Sequence, residues 1–351
     1  MGSLEGRRGI IRHVSPRRPA SRGIAPGAAP MKGFPLADLK LTVAYGDYEI
    51  TRAMTDGRVK PEGIELVPDT RFGPRDRHWA MAKEDAFDVC EFNACAYFMA
   101  RDRGRAWTAL PVFCHRRFRH GFVFVNPASG IKTPRDLIGK SIGGTNFQPA
   151  GNVWIRGILE EEHGVDHRSI HWFTERGEDI DFTPHDGLTI TRLRDDQDLD
   201  TMFLNGELDA RMEPEFPEPF LAGDPRVARL FENCQAVETE YFKRTGIFPI
   251  MHVTVIRREI VDKNPWVVKS LFDAFNKAKD LAYKRVANPR VVPLAFWAYA
   301  LEEQNRLLGR DPWQYGLTPA NRKNLEAAIR YTHMQGLTSR RAPLEELFSI
   351  P

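Results

Sequence analysis

No stretch of this 351-residue chain approaches the about 18 consecutive apolar residues of a membrane span. Nor does its beginning carry the roughly 7–15-residue apolar core of a secretory signal. Cysteine is scarce: Cys90, Cys95, Cys114 and Cys234 have no zinc-type spacing. Free, buried thiols in a reducing compartment are expected, hence the cytoplasm. Charge of one sign is also lacking. The net charge is +3, and residues 1–30 alone hold six arginines against Glu5. The remaining chain carries −2, which gives no electrostatic footprint for nucleic acid or a membrane surface. Residues 1–30 are read as a disordered Arg/Pro-rich extension, and a twin-arginine signal finds no apolar region to follow it. No internal repeat is visible.

What is present is ordinary soluble composition, 42% hydrophobic and 28% charged, at a length sufficient for two lobes. Residues 39–45 read as a strand ending at Gly46-Asp47-Tyr48, followed by a helix over 49–55, a strand over 63–67 and a helix over 75–83. A strand at 87–90, a helix at 94–103 and strands at 107–113 and 121–126 continue the alternation, which argues for a mostly parallel sheet. Asn126-Pro127 marks a junction. Thr133 and Pro134 then supply the cap and first position of a short helix, and a strand runs into Gly143-Gly144. A helix at 149–162 stops at Gly164; 170–173 and 208–212 read as strands, 198–205 as a helix, and 174–187 as an acidic loop. Ile247–Arg257 is a long β-rich segment, and helices follow at about 259–286, 291–308 and 319–335. The boundaries expected are a first lobe from 38–128 and 246–351, and a second from 129–245. Two chain crossings between such lobes leave a cleft with a hinge, a favoured place for a ligand.

Between two β-rich segments lies Pro111-Val112-Phe113-Cys114-His115-Arg116-Arg117-Phe118-Arg119-His120. Such a cluster is costly to bury unpaired. On an extended chain Arg117 and Arg119 share one face, and Arg116, Phe118 and His120 the other. A face of guanidinium and imidazole groups suits a carboxylate.

Several separated blocks look familiar. Ile131-Lys132-Thr133-Pro134-Arg135-Asp136-Leu137-Ile138-Gly139-Lys140-Ser141-Ile142-Gly143 and Asn205-Gly206-Glu207-Leu208-Asp209-Ala210 resemble recurrent motifs of type II periplasmic-binding-protein folds. Leu41-Thr42-Val43-Ala44-Tyr45-Gly46-Asp47-Tyr48, Phe87-Asp88-Val89-Cys90-Glu91-Phe92, Phe118-Arg119-His120, Val153-Trp154-Ile155-Arg156-Gly157 and Arg244-Thr245-Gly246-Ile247-Phe248-Pro249-Ile250-Met251-His252-Val253 resemble the 4,5-dihydroxyphthalate decarboxylase family. The resemblance covers essentially residues 38–349. It implies an α/β, two-lobed type II periplasmic-binding-protein-like fold with a cleft and a helical C-terminal tail. The run Arg211-Met212-Glu213-Pro214-Glu215-Phe216-Pro217-Glu218 departs from the family pattern and brings negative charge toward the cleft.

The implied activity is a cofactor-independent carboxy-lyase that turns a hydroxylated aromatic dicarboxylate into protocatechuate or a similar product and carbon dioxide. The ring serves as its own electron sink, so no organic cofactor is called for. The chemistry needs cationic anchors, a general acid and a base near the hydroxyls. Arg52, Arg116 and Arg119 are the carboxylate anchors expected; His120 and His252 are the acid/base candidates. Asp47 and Glu91, at strand ends, are the acceptors for hydroxyl protons. Trp154 and Phe92 are placed to stack the ring, Gln148 to bind an oxygen, and Glu213 to face the cleft. His163, His167, His171 and His185 read as surface. A metal held by His115, His120, Glu91 and Asp47 has no close-spaced ligand motif behind it, so none is expected. The partner is then a small aromatic carboxylate, with a homo-oligomer left open. The alternative is a non-catalytic solute-binding protein of the ABC-transporter type for a small aromatic or carboxylated ligand.

Overall fold

Strand and helix alternate from the first described residue. The structure, a computed structural model, describes residues 38–351. β1 (Leu39–Ala44), α1 (Glu49–Thr55), β2 (Ile64–Pro68), α2 (Pro74–Glu84), β3 (Val89–Asn93), α3 (Ala94–Asp102) and β4 (Trp107–Leu110) come first. Next are β5 (Val123–Val125), β6 (Ser141–Gly144), α4 (Ala150–His163), β7 (His171–Thr174), β8 (Thr189–Arg192), α5 (Leu199–Leu204), β9 (Ala210–Met212), α6 (Glu218–Leu221), β10 (Ala228–Arg229) and α7 (Cys234–Thr245). The chain ends with β11 (His252–Arg257), α8 (Arg258–Lys263), α9 (Trp266–Val286), α10 (Trp297–Leu308), α11 (Pro319–Met334) and α12 (Leu344–Leu347).

Two sheets result. The first has the order β2-β1-β3-β11-β4, with β1, β2 and β3 parallel and β11 antiparallel to both its neighbours. The second has the order β10-β5-β9-β6-β7-β8, parallel from β9 to β8 and antiparallel at β5 and β10. The strand at 121–126, expected in the first lobe, thus belongs to the second sheet. The crossing comes earlier than 128 because the chain leaves β4 after Leu110 and next joins a sheet at β5. All four cysteines are free thiols, three of them buried. Among the described residues no helix is long and apolar enough to cross a membrane. The extension expected at 1–30 lies outside the described residues.

The two crossing segments pair with each other. Arg116 bridges Ile250, Met251 N–H donates to the His115 carbonyl at 2.9 Å, and Arg117 N–H donates to the Pro249 carbonyl at 3.1 Å. This short ribbon replaces the first part of the long β segment expected at 247–257. Pro249 has no N–H to give to a sheet, so regular pairing begins only at His252. A helix break at Asn264-Pro265 likewise divides the expected 259–286 helix into α8 and α9. β8 and α7 had no clear signal. β8 is a polar edge strand, and α7 buries only Tyr241.

The tail is part of the body rather than an appendage. α9 buries Val267, Val268, Leu271, Ala274, Phe275 and Ala278, a stripe at helical spacing, against α1. α11 lies against α3 and α4, and so touches the supports of both sheets. Gln335 donates to the Val153 carbonyl at 2.8 Å and accepts from Arg156 at 2.7 Å.

α4 and α11 approach so closely that Gly157 has no room for a side chain: a Cβ there would stand 2.3–2.5 Å from the Tyr331 ring. Helix propensity favours alanine over glycine by about 1 kcal/mol. Overpacking at such a contact costs about 1–3 kcal/mol. Gly157→Ala is therefore expected to lower the denaturant midpoint, and a raised midpoint would contradict this packing.

Candidate active site

The most unusual side chain in the first sheet is Glu91. Every residue of β3 is buried, and Glu91 in its middle is 0% exposed. Its carboxylate is fully occupied. Oε2 accepts from Gly46 N–H at 2.7 Å and Arg77 Nη2 at 2.8 Å; Oε1 accepts from Tyr48 Oη at 2.7 Å and His252 Nδ1 at 2.5 Å. Burial opposes its ionisation, but His252 and Arg77 outweigh burial and hold the carboxyl far below the usual carboxylate range.

His252 faces a cavity of about 270 Å³ between the two sheets. Its ring lies edge-on to His78 (centroids 4.8 Å) and to His115 (4.7 Å). Burial, reinforced by His252, drives both of those imidazoles well below the ordinary histidine range, so they are neutral near pH 7. Tyr48 stacks on His115 and completes this wall. The opposite wall is Thr145, Asn146, Pro149, Ala150 and Gly151, where β6 turns into α4. Asn93 Nδ2 donates to the Gln148 carbonyl at 3.3 Å and ties the two walls.

The cavity is rich in arginine: Arg75, Arg117, Arg119 and Arg176 line it, against Asp179 and Glu215. Arg119 is buried, yet it donates only to the Glu213 and Pro214 carbonyls, and its Nε has no partner. Burial lowers its pKa to about 9, which still leaves it a cation at neutral pH. A buried guanidinium without a carboxylate partner is a receptor for an anion. Asp179 is pushed up to about 6 by burial, against the pull of Arg176 and Lys83.

Arg117 and Arg119 line the cavity, while Arg116, Phe118 and His120 do not; the expected extended chain ends at Arg119, where the 3-10 turn His120–Phe122 begins. Of the residues singled out in the sequence, His252 and Arg119 line the wall and Glu91 stands behind it. The rest are engaged elsewhere. Asp47 and Arg52 pair with each other at 3.2 Å, and Arg52 also reaches Glu49. Asp47 borders a separate hollow of about 810 Å³ beside α9 and α10. Arg116 donates to the Gln314 carbonyl at 3.1 Å and to Asn321. His120 packs edge-on against Phe231 and Tyr241, and burial lowers its pKa to about 4. Gln148 bonds both the N–H and the carbonyl of Ile180. Trp154 donates to the Ile250 carbonyl at 2.9 Å and packs on Tyr331. Phe92 supports His78 from behind. Glu213 turns inward to Arg211 and Thr145, leaving Glu215 on the wall. Tyr48, His78, Arg75, Arg176 and Asp179 were not among the expected site residues. Nothing in local spacing marks His78 or Asp179, since both come to the cavity through long-range packing.

His78, His115 and His252 do not bring three ligand atoms together. Among the described residues the one group of His, Cys, Asp or Glu that does so within 4.8 Å is Glu160, Asp166 and His167, away from the cavity.

No protein-family model matches the chain. It is 32% identical over 322 residues to a protein from Comamonas testosteroni named 4,5-dihydroxyphthalate decarboxylase, covering 89% of this chain and 97% of that protein. A protein of the same name from Pseudomonas putida is 29% identical over 212 residues, 58% of this chain and 82% of that protein. Among solved structures, the periplasmic aliphatic sulphonate binding protein SsuA from Escherichia coli superposes with a TM-score of 0.53 at 14% identity, covering 88% of this chain and 97% of that one. The CA3427 gene product of Candida albicans, which has the generic periplasmic binding protein fold, gives 0.53 at 14% identity, covering 89% and 95%. These likenesses show the two-lobed periplasmic-binding-protein-like fold.

Glu91 is depressed in the folded state, so its stabilisation is present above the unfolded-state pKa of about 4.3 and is lost as pH falls. Glu91→Gln leaves Arg77 buried beside a neutral amide, a loss of about 3–5 kcal/mol. Urea unfolding is expected to give the full difference between wild type and variant at pH 7, shrinking below about pH 4.3. A difference that is absent, or independent of pH, contradicts the ionised pair.

Proposed function

The chain belongs to the 4,5-dihydroxyphthalate decarboxylase family, and we propose that its interlobe cavity removes one carboxylate from a dihydroxylated aromatic dicarboxylate such as 4,5-dihydroxyphthalate. The products are protocatechuate and carbon dioxide. The observation that carries this reading is the buried, carboxylate-free Arg119 on the same cavity as His252 and its partner Glu91.

Arg119 and Arg117 anchor the carboxylate that the product keeps, since a fixed guanidinium pair orients the ring. The leaving carboxylate stands toward the histidine wall, where neutral His78 and His115 leave its charge weakly stabilised. Asp179 accepts the proton of the hydroxyl para to it, and the resulting phenolate pushes electrons into the ring. Protonated His252, its charge supported by Glu91, delivers a proton from Nε2 to the ring carbon that carries the leaving carboxylate. The carbon–carboxylate bond then breaks, its electron pair restores the aromatic ring as a phenolate, carbon dioxide departs, and Asp179 returns its proton to the phenolate oxygen. One proton is taken up for each carbon dioxide released. Tyr48, bonded to Glu91, fixes the carboxylate that holds His252.

In the test, the full chain is incubated with 4,5-dihydroxyphthalate while carbon dioxide release and calorimetric binding are followed. Release with saturable binding is expected. Binding without release would make the cavity a capture site, and neither would remove the reading. His252→Asn should lose about 10²–10⁴-fold in kcat while retaining binding, because only proton delivery is lost. Arg119→Met should weaken binding of the product as well as turnover. For wild type kcat/KM is expected to rise with pH through about 6 as Asp179 ionises. Asp179→Asn should lack that limb; an unchanged profile would take Asp179 out of the mechanism.

A further inference from the structure

Away from the cavity, the end of α4 and the 3-10 turn His167–Ser169 bring together Glu160, Asp166 and His167. His167 Nδ1 lies 3.0 Å from Glu160 Oε2 and 3.6 Å from Asp166 Oδ1. The sequence reading put His167 on the surface, but its side chain is only 2% exposed. Its other ring nitrogen, Nε2, lies 3.1 Å from His185 Nε2, and His185 Nδ1 lies 3.1 Å from the Asp186 carbonyl.

One assignment of ring protons satisfies the contacts of the two imidazoles with each other and with the Asp186 carbonyl. A carbonyl only accepts, so His185 Nδ1 carries the proton and its Nε2 a lone pair. The contact between the two rings is then a hydrogen bond only if His167 Nε2 donates. That leaves the His167 Nδ1 lone pair facing two carboxylates. Such an arrangement is repulsive unless a cation stands among the three groups. A second proton is one candidate. A metal ion is the other, and it engages all three ligand atoms at once, since they lie within 4.8 Å of one another.

We propose that Glu160, Asp166 and His167 bind a divalent transition-metal ion such as Zn²⁺ through Oε2, Oδ1 and Nδ1, with His185 as the acceptor that orients the ligating imidazole. One imidazole and two carboxylates form a donor set suited to zinc or manganese. A ligating histidine whose far N–H is held by an acceptor is the expected support. The Glu160 carboxylate has no other hydrogen-bond partner among the described residues. Asp166 also accepts from the Arg168 N–H at 2.8 Å and from its guanidinium at 2.5–3.0 Å. The Arg168 side chain is half exposed, so it swings to solvent when the ion enters while the backbone bond stays. His185 sits on the loop over 175–187 that also supplies Arg176 and Asp179 to the cavity. The ion therefore anchors that loop, through His167 and His185, to the end of α4.

Zn²⁺ is titrated by calorimetry into the chelator-stripped full chain, and Co²⁺ absorption is recorded in parallel. Wild type is expected to bind at a site that Glu160→Gln and His167→Asn each weaken by at least about tenfold, with loss of the Co²⁺ ligand-field band. His185→Gln weakens it by a smaller factor. Where His167→Asn fails to fold, Glu160→Gln decides, because its carboxylate is partly open to water. No binding by wild type, or unchanged affinity in the folded variants, overturns the site.

Discussion

A single buried carboxylate organises the first lobe. Glu91 lies at the centre of the middle strand and draws together Gly46 and Tyr48 after β1, Arg77 from α2 and His252 from β11. Burying one anion without partners would cost several kcal/mol. Each of its bonds therefore constrains a separate segment, and the loop after β1, α2 and the return strand can move apart only by leaving that charge exposed to an apolar interior. The histidine wall of the cavity is a by-product of that constraint. His252 is held by Glu91, and His78, next to Arg77 on α2, is carried into contact with it.

The second constraint is the paired crossing. Because His115–Arg117 and Pro249–Met251 bond to each other, the chain is extended there and its side chains alternate, before it turns at Arg119 into the 3-10 turn His120–Phe122. Arg117 and Arg119 consequently meet the cavity, while Arg116 and His120 serve packing on the other side. The arginines supply charge without a partner, and the dyad supplies a proton donor. α4 closes the cavity from the second sheet, and α11 clamps α4 to α3.

Much of this was legible in the chain. The β-α order follows from local apolar runs and turn residues; Arg117 and Arg119 share the cavity face as expected, but a 3-10 turn over His120–Phe122 stands where a strand was expected to begin at 121. Glu91, His252 and Arg119 stood among the expected site residues through the family-like blocks and the arginine-histidine run, although Glu91, expected at a strand end, lies in the middle of β3. The other candidates illustrate what a sequence hides. Asp47 and Arg52 satisfy each other, Gln148 satisfies a loop backbone, and Trp154 fills the core, so residue types suited to a ligand were already spent on the fold. Asp179 and Arg176 reach the cavity from an irregular acidic loop, and no periodicity reports such a path. The β5 boundary was misplaced for a similar reason: which sheet a short strand joins is decided by pairing, not by composition.

The central claim is that the cavity sets one carboxylate of an aromatic diacid on the arginines and presents the other ring carbon to His252. A crystal structure with phthalate, which lacks the hydroxyls needed to drive turnover, tests it most directly. The account predicts one carboxylate on Arg117 and Arg119 and the second carboxyl-bearing carbon opposite His252 Nε2. Phthalate seated instead in the larger hollow beside α9 and α10, with the arginines empty, would contradict it.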